Sequence, residues 1–345
     1  MATLRAAKAA RRKPEGQREK LLGLLADGEF YSGEHLARQL RVTRSAVWKL
    51  IGKLRLQGIA IEATSRRGYR LSQPVELYDT DTIRSALGDQ TRLRTSRIDA
   101  LLAVDSTNSF LLDAPAPAIG QASVCMTEVQ TAGRGRRGRS WLAPFGSGIC
   151  MSLSWQFAET PPTFSALSLA IGLALVRAVR RFGSSVVQLK WPNDLVWMQR
   201  KLAGILIEIR GEADGPAHVV IGIGLNLRLP SSTRLKLAEQ QAALVTDLHE
   251  VLGDRAPGRN VLVAAIVDEI VMTLLRFEHE GFAPFADEWR KADALRNVAV
   301  RVLSGNEAIN GIARGVASDG ALAVEVNGKI QLFTSGDVSL RALNR

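Results

Sequence analysis

The chain has 345 residues, 46% of them hydrophobic and 23% charged, which suits two or three packed domains and excludes a disordered chain. No uncharged apolar run approaches a membrane span, and the basic start (Arg5, Lys8, Arg11, Arg12, Lys13) lacks the apolar stretch of a secretory signal. A cytoplasmic protein without a membrane partner is therefore expected, and Cys125 and Cys150, the two cysteines, are read as reduced core residues. Of the net charge of +11, residues 1–70 hold most, with 16 Lys+Arg against 6 Asp+Glu. Excess charge confined to one terminal module points to a polyanion partner, although residues 1–15 alone read equally as a solvated basic tail.

In chain order, residues 17–26 predict a short helix with Leu21, Leu22, Leu24 and Leu25 apolar. Ser32 is a candidate N-cap for a second helix with Leu36, Ala37 and Leu40 inward. A turn through Arg41 to Thr43 leads to a third helix, whose inner face carries Ala46, Val47, Leu50, Ile51 and Leu54 and which ends at Gly58. Its other face shows Arg44, Ser45, Trp48, Lys49 and Lys53. Two strands, Ile59–Ala63 and Tyr69–Leu71, join through a basic turn with Arg66 and Arg67. This order predicts a winged helix-turn-helix over 16–75, with Thr43, Arg44, Ser45, Trp48, Lys49, Arg66 and Arg67 as the DNA-binding candidates.

From about 80 to 292 helical and strand-like segments alternate. Strands are expected at Val124–Val129, Ile149–Trp155, Val186–Trp191, Leu202–Ile209 and Val219–Leu227, and helices at 165–182 and 260–279, giving an α/β body. After 296 come short strands with turn signals: Val298–Leu303, Ile312–Ser318, Leu322–Val326 and Ile330–Thr334. They predict a small antiparallel barrel, too small to be stable unless it docks on the body.

Four segments carry candidate chemistry. The run Gly133 to Trp141 matches G-x-G-x-x-G formally, but a loop through Pro144 follows where a dinucleotide site needs a helix to begin. What remains is a glycine loop with Arg134, Arg136, Arg137 and Arg139, suited to a multiply charged anion and costly to order while empty, or else a solvated basic loop. In the second segment Pro192 stops a strand, Asn193 and Asp194 turn the chain, and Lys201 opens the next strand, so Asp194 and Lys201 meet at a hairpin mouth. That pair reads either as chemistry or as an exposed ion pair. In the third, Gly222 and Gly224 sit in a strand where a ligand or another backbone comes close. The fourth, Asp105-Ser106-Thr107-Asn108, at least caps a helix through 109–113.

Ser106-Thr107-Asn108, Gly133 to Trp141, Pro144-Phe145-Gly146, Lys190 to Asp194, Arg200 to Gly204 and Gly222 to Asn226 occur in the order found in the biotin protein ligases of the bifunctional repressor class, the BirA family. Including the winged helix and the barrel that ends in Ser339-Leu340-Arg341, the resemblance covers essentially the whole chain. It implies an α+β multidomain protein: a basic tail (1–15), a winged helix-turn-helix (16–75), a central α/β, class II synthetase-like catalytic domain (80–292) and a C-terminal small SH3-like β-barrel (296–345).

The resemblance also implies a function: ATP-dependent formation of biotinyl-5'-AMP and transfer of biotin to a lysine of the biotin carboxyl carrier protein of acetyl-CoA carboxylase. The same chain would repress biotin synthesis genes on operator DNA as a homodimer promoted by the adenylate. Biotin and ATP are then substrates with Mg²⁺ as activator, and no tightly bound cofactor is expected. By resemblance, Ser106, Thr107, Asn108, Gln130, Arg134, Gly135, Arg136, Lys201, Gly204 and Gly222 contact biotin. Trp141, Asn226, Arg137 and Arg139 lie on the nucleotide side. Lys201, Arg134, Arg136 and Asp194 serve catalysis, Asp194 either through Mg²⁺ or by orienting the acceptor lysine. Ser140 departs from the pattern, where a more basic residue is expected. Two other readings fit parts of the sequence: a ligand-sensing transcription factor without catalysis, and a lipoate ligase, which normally lacks both the Gly133–Trp141 run and the winged helix.

Overall fold

A computed structural model describes residues 16–161, 163–183, 186–210, 215–241, 244–304, 307–334 and 338–342. The expected basic tail 1–15 lies outside them. The chain divides into two compact units, residues 1–77 and 78–345.

The first unit contains α1 (Gln17–Leu25), α2 (Gly33–Leu40), α3 (Arg44–Leu56), β1 (Ile61–Thr64) and β2 (Gly68–Leu71). Ser32 caps α2 by accepting from His35 N, and Thr43 caps α3 by accepting from Ala46 N. The three helices bury Leu21, Leu25, Leu36, Leu40, Val47, Ile51 and Leu54 together. The first wing strand begins two residues later than the alternation suggests. Ile59 N is committed to the Leu54 carbonyl, closing the end of α3, so it cannot join a ladder. A further strand position is invisible in the pattern: Tyr31 exchanges two backbone hydrogen bonds of 2.9 Å with Tyr69. Gly68 permits this contact. Its φ is +102°, and a Cβ there would sit 2.1 Å from the Tyr31 oxygen.

The second unit is built on seven strands: β3 (Thr95–Val104), β4 (Ala122–Gln130), β5 (Gly148–Gln156), β6 (Gln188–Lys190), β7 (Asp194–Trp197), β8 (Arg200–Arg210) and β9 (His218–Asn226). Their order is β3-β4-β5-β9-β8-β7-β6, with β3 and β4 parallel and the rest antiparallel. Helices α4 (Thr80–Ala86) and α5 (Asp89–Arg94) precede the sheet, α6 (Thr107–Asp113) joins β3 to β4, and α7 (Leu167–Arg180) joins β5 to β6. After β9 come α8 (Ser231–Gln241), α9 (Leu248–Leu252), α10 (Arg259–Glu280) and α11 (Ala286–Ala292). The sequence pattern did not separate β3 and β7 as strands. β3 is a half-exposed edge strand and β7 has four residues, so neither shows a clean alternation. The expected strand Val186–Trp191 shrinks to Gln188–Lys190, and Trp191 already belongs to the turn that follows.

Alternation along the central strands separates two faces. Ile149, Met151, Leu153 and Trp155 of β5 and Ile221, Ile223 and Leu225 of β9 join a single core with residues of α7 and α10. Ser152, Gly222, Gly224 and Asn226 therefore point to the opposite face, part of which is covered by Leu111 of α6 on Cys125 and Val220. Both cysteines are free and buried.

The last five strands, β10 (Ala299–Ser304), β11 (Glu307–Val316), β12 (Leu322–Val326), β13 (Lys329–Phe333) and β14 (Val338–Ala342), form an antiparallel sheet in the order β13-β12-β11-β10-β14. The expected docking on the body is present: Val300, Val302, Ala313, Leu322 and Val324 belong to the body's core. Trp191 Nε1 donates to the Gly320 carbonyl at 3.3 Å, and the backbone of Ala294 donates to Leu189 O.

At this junction lies Asp293, 8% exposed, whose carboxyl burial pushes up to about 6 against the opposing pull of the Leu295 N–H and Arg296. An acid with a raised folded pKa loses stability as pH rises, because between about 4 and 6 the unfolded chain releases a proton that the folded chain retains. Asp293→Asn is accordingly expected to stabilise this unit by up to about 3 kcal/mol above pH 6 and by almost nothing at pH 3.5. Denaturant titrations at the two pH values measure the difference.

Candidate active site

One end of the site is built around the first turn of α6. Ser106 accepts from Ser109 N as its N-cap, which leaves the Thr107 N–H and hydroxyl to donate to Gln130 Oε1, at 3.0 and 3.1 Å. Asn108 Nδ2 donates to Glu208 Oε2 at 2.7 Å, fixing the amide with its oxygen toward β5. There Ser152 Oγ lies 2.7 Å from Thr107 Oγ1 and 2.5 Å from Asn108 Oδ1. One hydroxyl proton thus stands between two acceptors, and the cluster has room for a donor. Gly222 makes the approach possible, since a Cβ there would lie 2.3 Å from Asn108 Oδ1.

The other end rests on a second glycine contact. Gly204 of β8 and Gly224 of β9 are direct cross-strand partners, and the Trp141 indole lies over them; a Cβ on Gly224 would be 2.1 Å from the ring. Gly204 also faces Asp194 across the β7–β8 ladder, and Lys201 fills the space its side chain would have taken. Lys201 Nζ sits 2.8 Å from Asp194 Oδ1 and 5.5 Å from the centroid of the Trp141 ring. The backbone of Lys201 is held between Leu244 O and Thr246 N at 2.9 Å each, and Asn226 Nδ2 donates to Thr246 O. The structure corrects one expectation here. Asp194 opens β7, whereas the turn itself is made by Trp191, Pro192 and Asn193, because Asp194 already pairs with Lys190 in the β6–β7 ladder.

The glycine–arginine loop, expected to be costly to order, is folded on itself by Gly135 N to Arg139 O (2.7 Å) and Trp141 N to Gly133 O (2.8 Å). Arg134 reaches inward to Glu208 Oε2 (2.9 Å) and Ser109 Oγ (3.1 Å), while Arg136 approaches Asn193 Oδ1 at 3.5 Å. Asn193 is itself locked to the backbone of Ile205 in both directions. Beneath the site Cys150 is buried, and that burial pushes its thiol up to about 12, so it stays neutral. Ser154 Oγ and His218 Nε2 form a 2.7 Å pair, but Ser154 is 1% exposed and cannot meet a substrate as a nucleophile.

Ser106, Thr107, Asn108, Gln130, Arg134, Gly135, Arg136, Trp141, Lys201, Gly204 and Gly222 all line one cavity. Arg137 and Arg139 are exposed on the outer side of the loop, and Asn226 is buried behind Lys201; none of the three lines the cavity. Sequence reasoning missed Ser152 and Glu208, and read Asn193 only as a turn residue. Strict alternation along β5 and β8 would have placed Ser152 and Glu208 on the same face as Gly222 and Gly204. Among the described residues no three of His, Cys, Asp and Glu gather closely enough to hold a metal ion, and Asp194 faces an ammonium. In the first unit, Arg44, Ser45, Trp48 and Lys49 are exposed on one side of α3, Thr43 caps it, and Arg66 and Arg67 form the wing turn. The Arg67 guanidinium stacks 4.0 Å over the Phe30 ring.

Comparison with known proteins gives matches in each part. Residues 102–226 match the Biotin/lipoate A/B protein ligase family, 17–70 an HTH domain, and 297–341 the Biotin protein ligase C terminal domain. Bifunctional ligase/repressor BirA of Salmonella typhimurium is 36% identical over 330 residues, covering 93% of this chain and 97% of its own. The protein of the same description from Escherichia coli is 36% identical over 334 residues, covering 94% and 98%. The solved biotin protein ligase of Aquifex aeolicus in complex with biotin and ATP aligns with a TM-score of 0.60 at 26% identity, over 72% of this chain and all of its own.

Glu208 ties α6 to the arginine loop by accepting from both Asn108 and Arg134. Glu208→Gln is expected to leave the fold intact and to raise amide exchange in residues 133–140 about fivefold, the equivalent of about 1 kcal/mol for a partly exposed ion pair. Hydrogen-exchange mass spectrometry of the free protein reads this directly.

Proposed function

Because the chain belongs to the family of bifunctional biotin ligase/repressors, we propose that it joins biotin to ATP as biotinyl-5'-AMP, passes biotin to a lysine of a carboxyl carrier protein, and represses transcription through its winged helix. The observation that carries this reading is one cavity with an acceptor-rich cluster at one end and Lys201 at the other. A ureido ring offers N–H donors to Asn108 Oδ1, Thr107 Oγ1 and Gln130 Oε1. The dithiolane of lipoate offers none and would leave Asn108 Oδ1 and Thr107 Oγ1 sharing the single Ser152 proton.

In the first step a carboxylate oxygen of biotin attacks the α-phosphorus of ATP, the bond to the bridging oxygen breaks, and pyrophosphate leaves. Two anions must meet, and Lys201, Arg134 and Arg136 supply fixed positive charge as negative charge shifts to the phosphate oxygens. In the second step the carrier's amine attacks the acyl carbon, loses a proton, and AMP leaves. Lys201 lines the same cavity and can stabilise charge in both steps. Asp194 holds the Lys201 ammonium in place and could also orient an acceptor lysine. A lone carboxylate already paired with an ammonium is a poor metal site, so any Mg²⁺ would come with the ATP phosphates, and no step is assigned to a protein-held ion. Over a bound adenylate the arginine loop would help to keep water out. Arg137 and Arg139, on its outer side, are placed to meet nucleotide phosphate only if the loop closes further.

We assign the protein to the cytoplasm, where carriers and chromosome are both available; no described helix is long and apolar enough to cross a membrane. The carrier is assigned to acetyl-CoA carboxylase and the operator to biotin synthesis genes. We further infer a homodimer promoted by the adenylate. Strand β3 forms one edge of the body sheet, where a second copy could pair, and tightening of the already folded loop on the adenylate would spare that association part of its entropy cost. A carrier protein would compete for the same intermediate. Sedimentation with and without biotin plus ATP is expected to show association only with both; an unchanged association constant refutes the coupling.

Pyrophosphate release with ATP plus biotin, compared with ATP plus lipoate, distinguishes the ligase from a non-catalytic sensor and from a lipoate ligase. Lys201→Ala is expected to keep the fold and to lower adenylation by two to three orders of magnitude, about 3–4 kcal/mol for one preorganised charge. Adenylation within threefold of the parent protein would overturn the role given to Lys201.

A further inference from the structure

Trp48 is 65% exposed near the start of α3, an unusual position for the largest apolar side chain. The head's core does not need it, since Val47, Ile51 and Leu54 already fill the inner face of the helix. Its neighbours on the outer face are Arg44, Ser45 and Lys49, also exposed, and the wing turn adds Arg66 and Arg67, the latter stacked on Phe30. An indole left in water within a cationic surface is complementary to a ligand that is anionic at its rim and apolar at its centre. Duplex DNA has that character: phosphates flank a major groove whose one strongly apolar feature is the C5-methyl of thymine.

We propose that Trp48 reads thymine, packing its indole against the C5-methyl group in each half-site, while Arg44, Lys49 and the wing arginines hold the phosphates. The assignment rests on the winged helix being a DNA reader and goes beyond it in naming the base. The charged residues set how tightly any duplex is held; Trp48 sets which duplex. Nothing in the indole contributes to counterion release, so its removal alters selection without altering salt dependence.

The test uses the full-length protein with biotin and ATP, and a randomised synthetic duplex pool. In the enriched sequence, replacing each thymine by uracil in turn removes one methyl at a time. The parent protein should lose about fourfold in affinity at one position per half-site, the equivalent of burying one methyl group. Trp48→Ala should be indifferent to the same replacement and should retain the parent's slope of log affinity against log salt. Lys49→Ala, in contrast, should weaken on every sequence and flatten that slope. The assignment is overturned if no thymine methyl matters, if Trp48→Ala stays as sensitive as the parent, or if Trp48→Ala weakens uniformly or changes only the oligomeric state. A pool that yields no enriched sequence overturns the repressor reading along with it, and leaves the pyrophosphate assay of the ligase untouched.

Discussion

The site depends on a place where side chains are absent. Gly204 and Gly224 face one another across β8 and β9, on the one side of the sheet that the α7–α10 layer does not cover. Each missing Cβ is replaced by something functional: the Trp141 indole over both, and Lys201 across the first. A β-sheet normally covers its faces with side chains at every second residue. Removing two of them at directly paired positions makes a flat-floored recess without bending a strand. The apolar packing of the other face keeps that recess rigid.

A similar division of labour runs through the second unit. Its buried ion pair, Arg259 with Glu128 at 2.7 Å and 3% and 7% exposed, lies beneath the Tyr78 ring and receives the Tyr78 N–H, so the first residue of the unit is tied to β4 and α10. Breaking such a pair strands a charge in the interior, so this contact contributes to geometry more than to net stability. The charges facing the cavity are arranged differently. They are half-exposed, and Glu208 and Asp194 each take a cation that a bound anion would otherwise compete for. An anion that bound there would exchange partners with these carboxylates, which would limit the desolvation cost of both states.

Much of this was legible in the residues. Ser32 and Ser106 as caps, the amphipathic faces of α2 and α3, and the meeting of Asp194 with Lys201 each follow from local chemistry that the fold preserves. The misses have physical causes too. β3 is an edge strand whose two faces are unevenly covered, so its pattern reads as neither period. Ser152 and Glu208 are ordinary strand residues whose importance comes from neighbours 44 and 100 positions away in sequence. Asn226 sits within a glycine-rich run that suggests direct contact with a ligand, yet its amide is spent bracing the backbone around Lys201. Position along a motif indicates that a residue matters; only the packing shows whether it touches the ligand or supports a residue that does.

The two cysteines, buried at 0% and 5% exposure with neutral thiols, have a practical consequence. Thiolate is the reactive form, and neither side chain offers it to solvent near neutral pH. The folded protein is thus a silent background for maleimide dyes and spin labels. A single surface cysteine, such as Arg139→Cys on the outer side of the loop, would be the one sulfur to react. Opening and closing of the loop then becomes a fluorescence or paramagnetic signal, obtained without replacing any native cysteine.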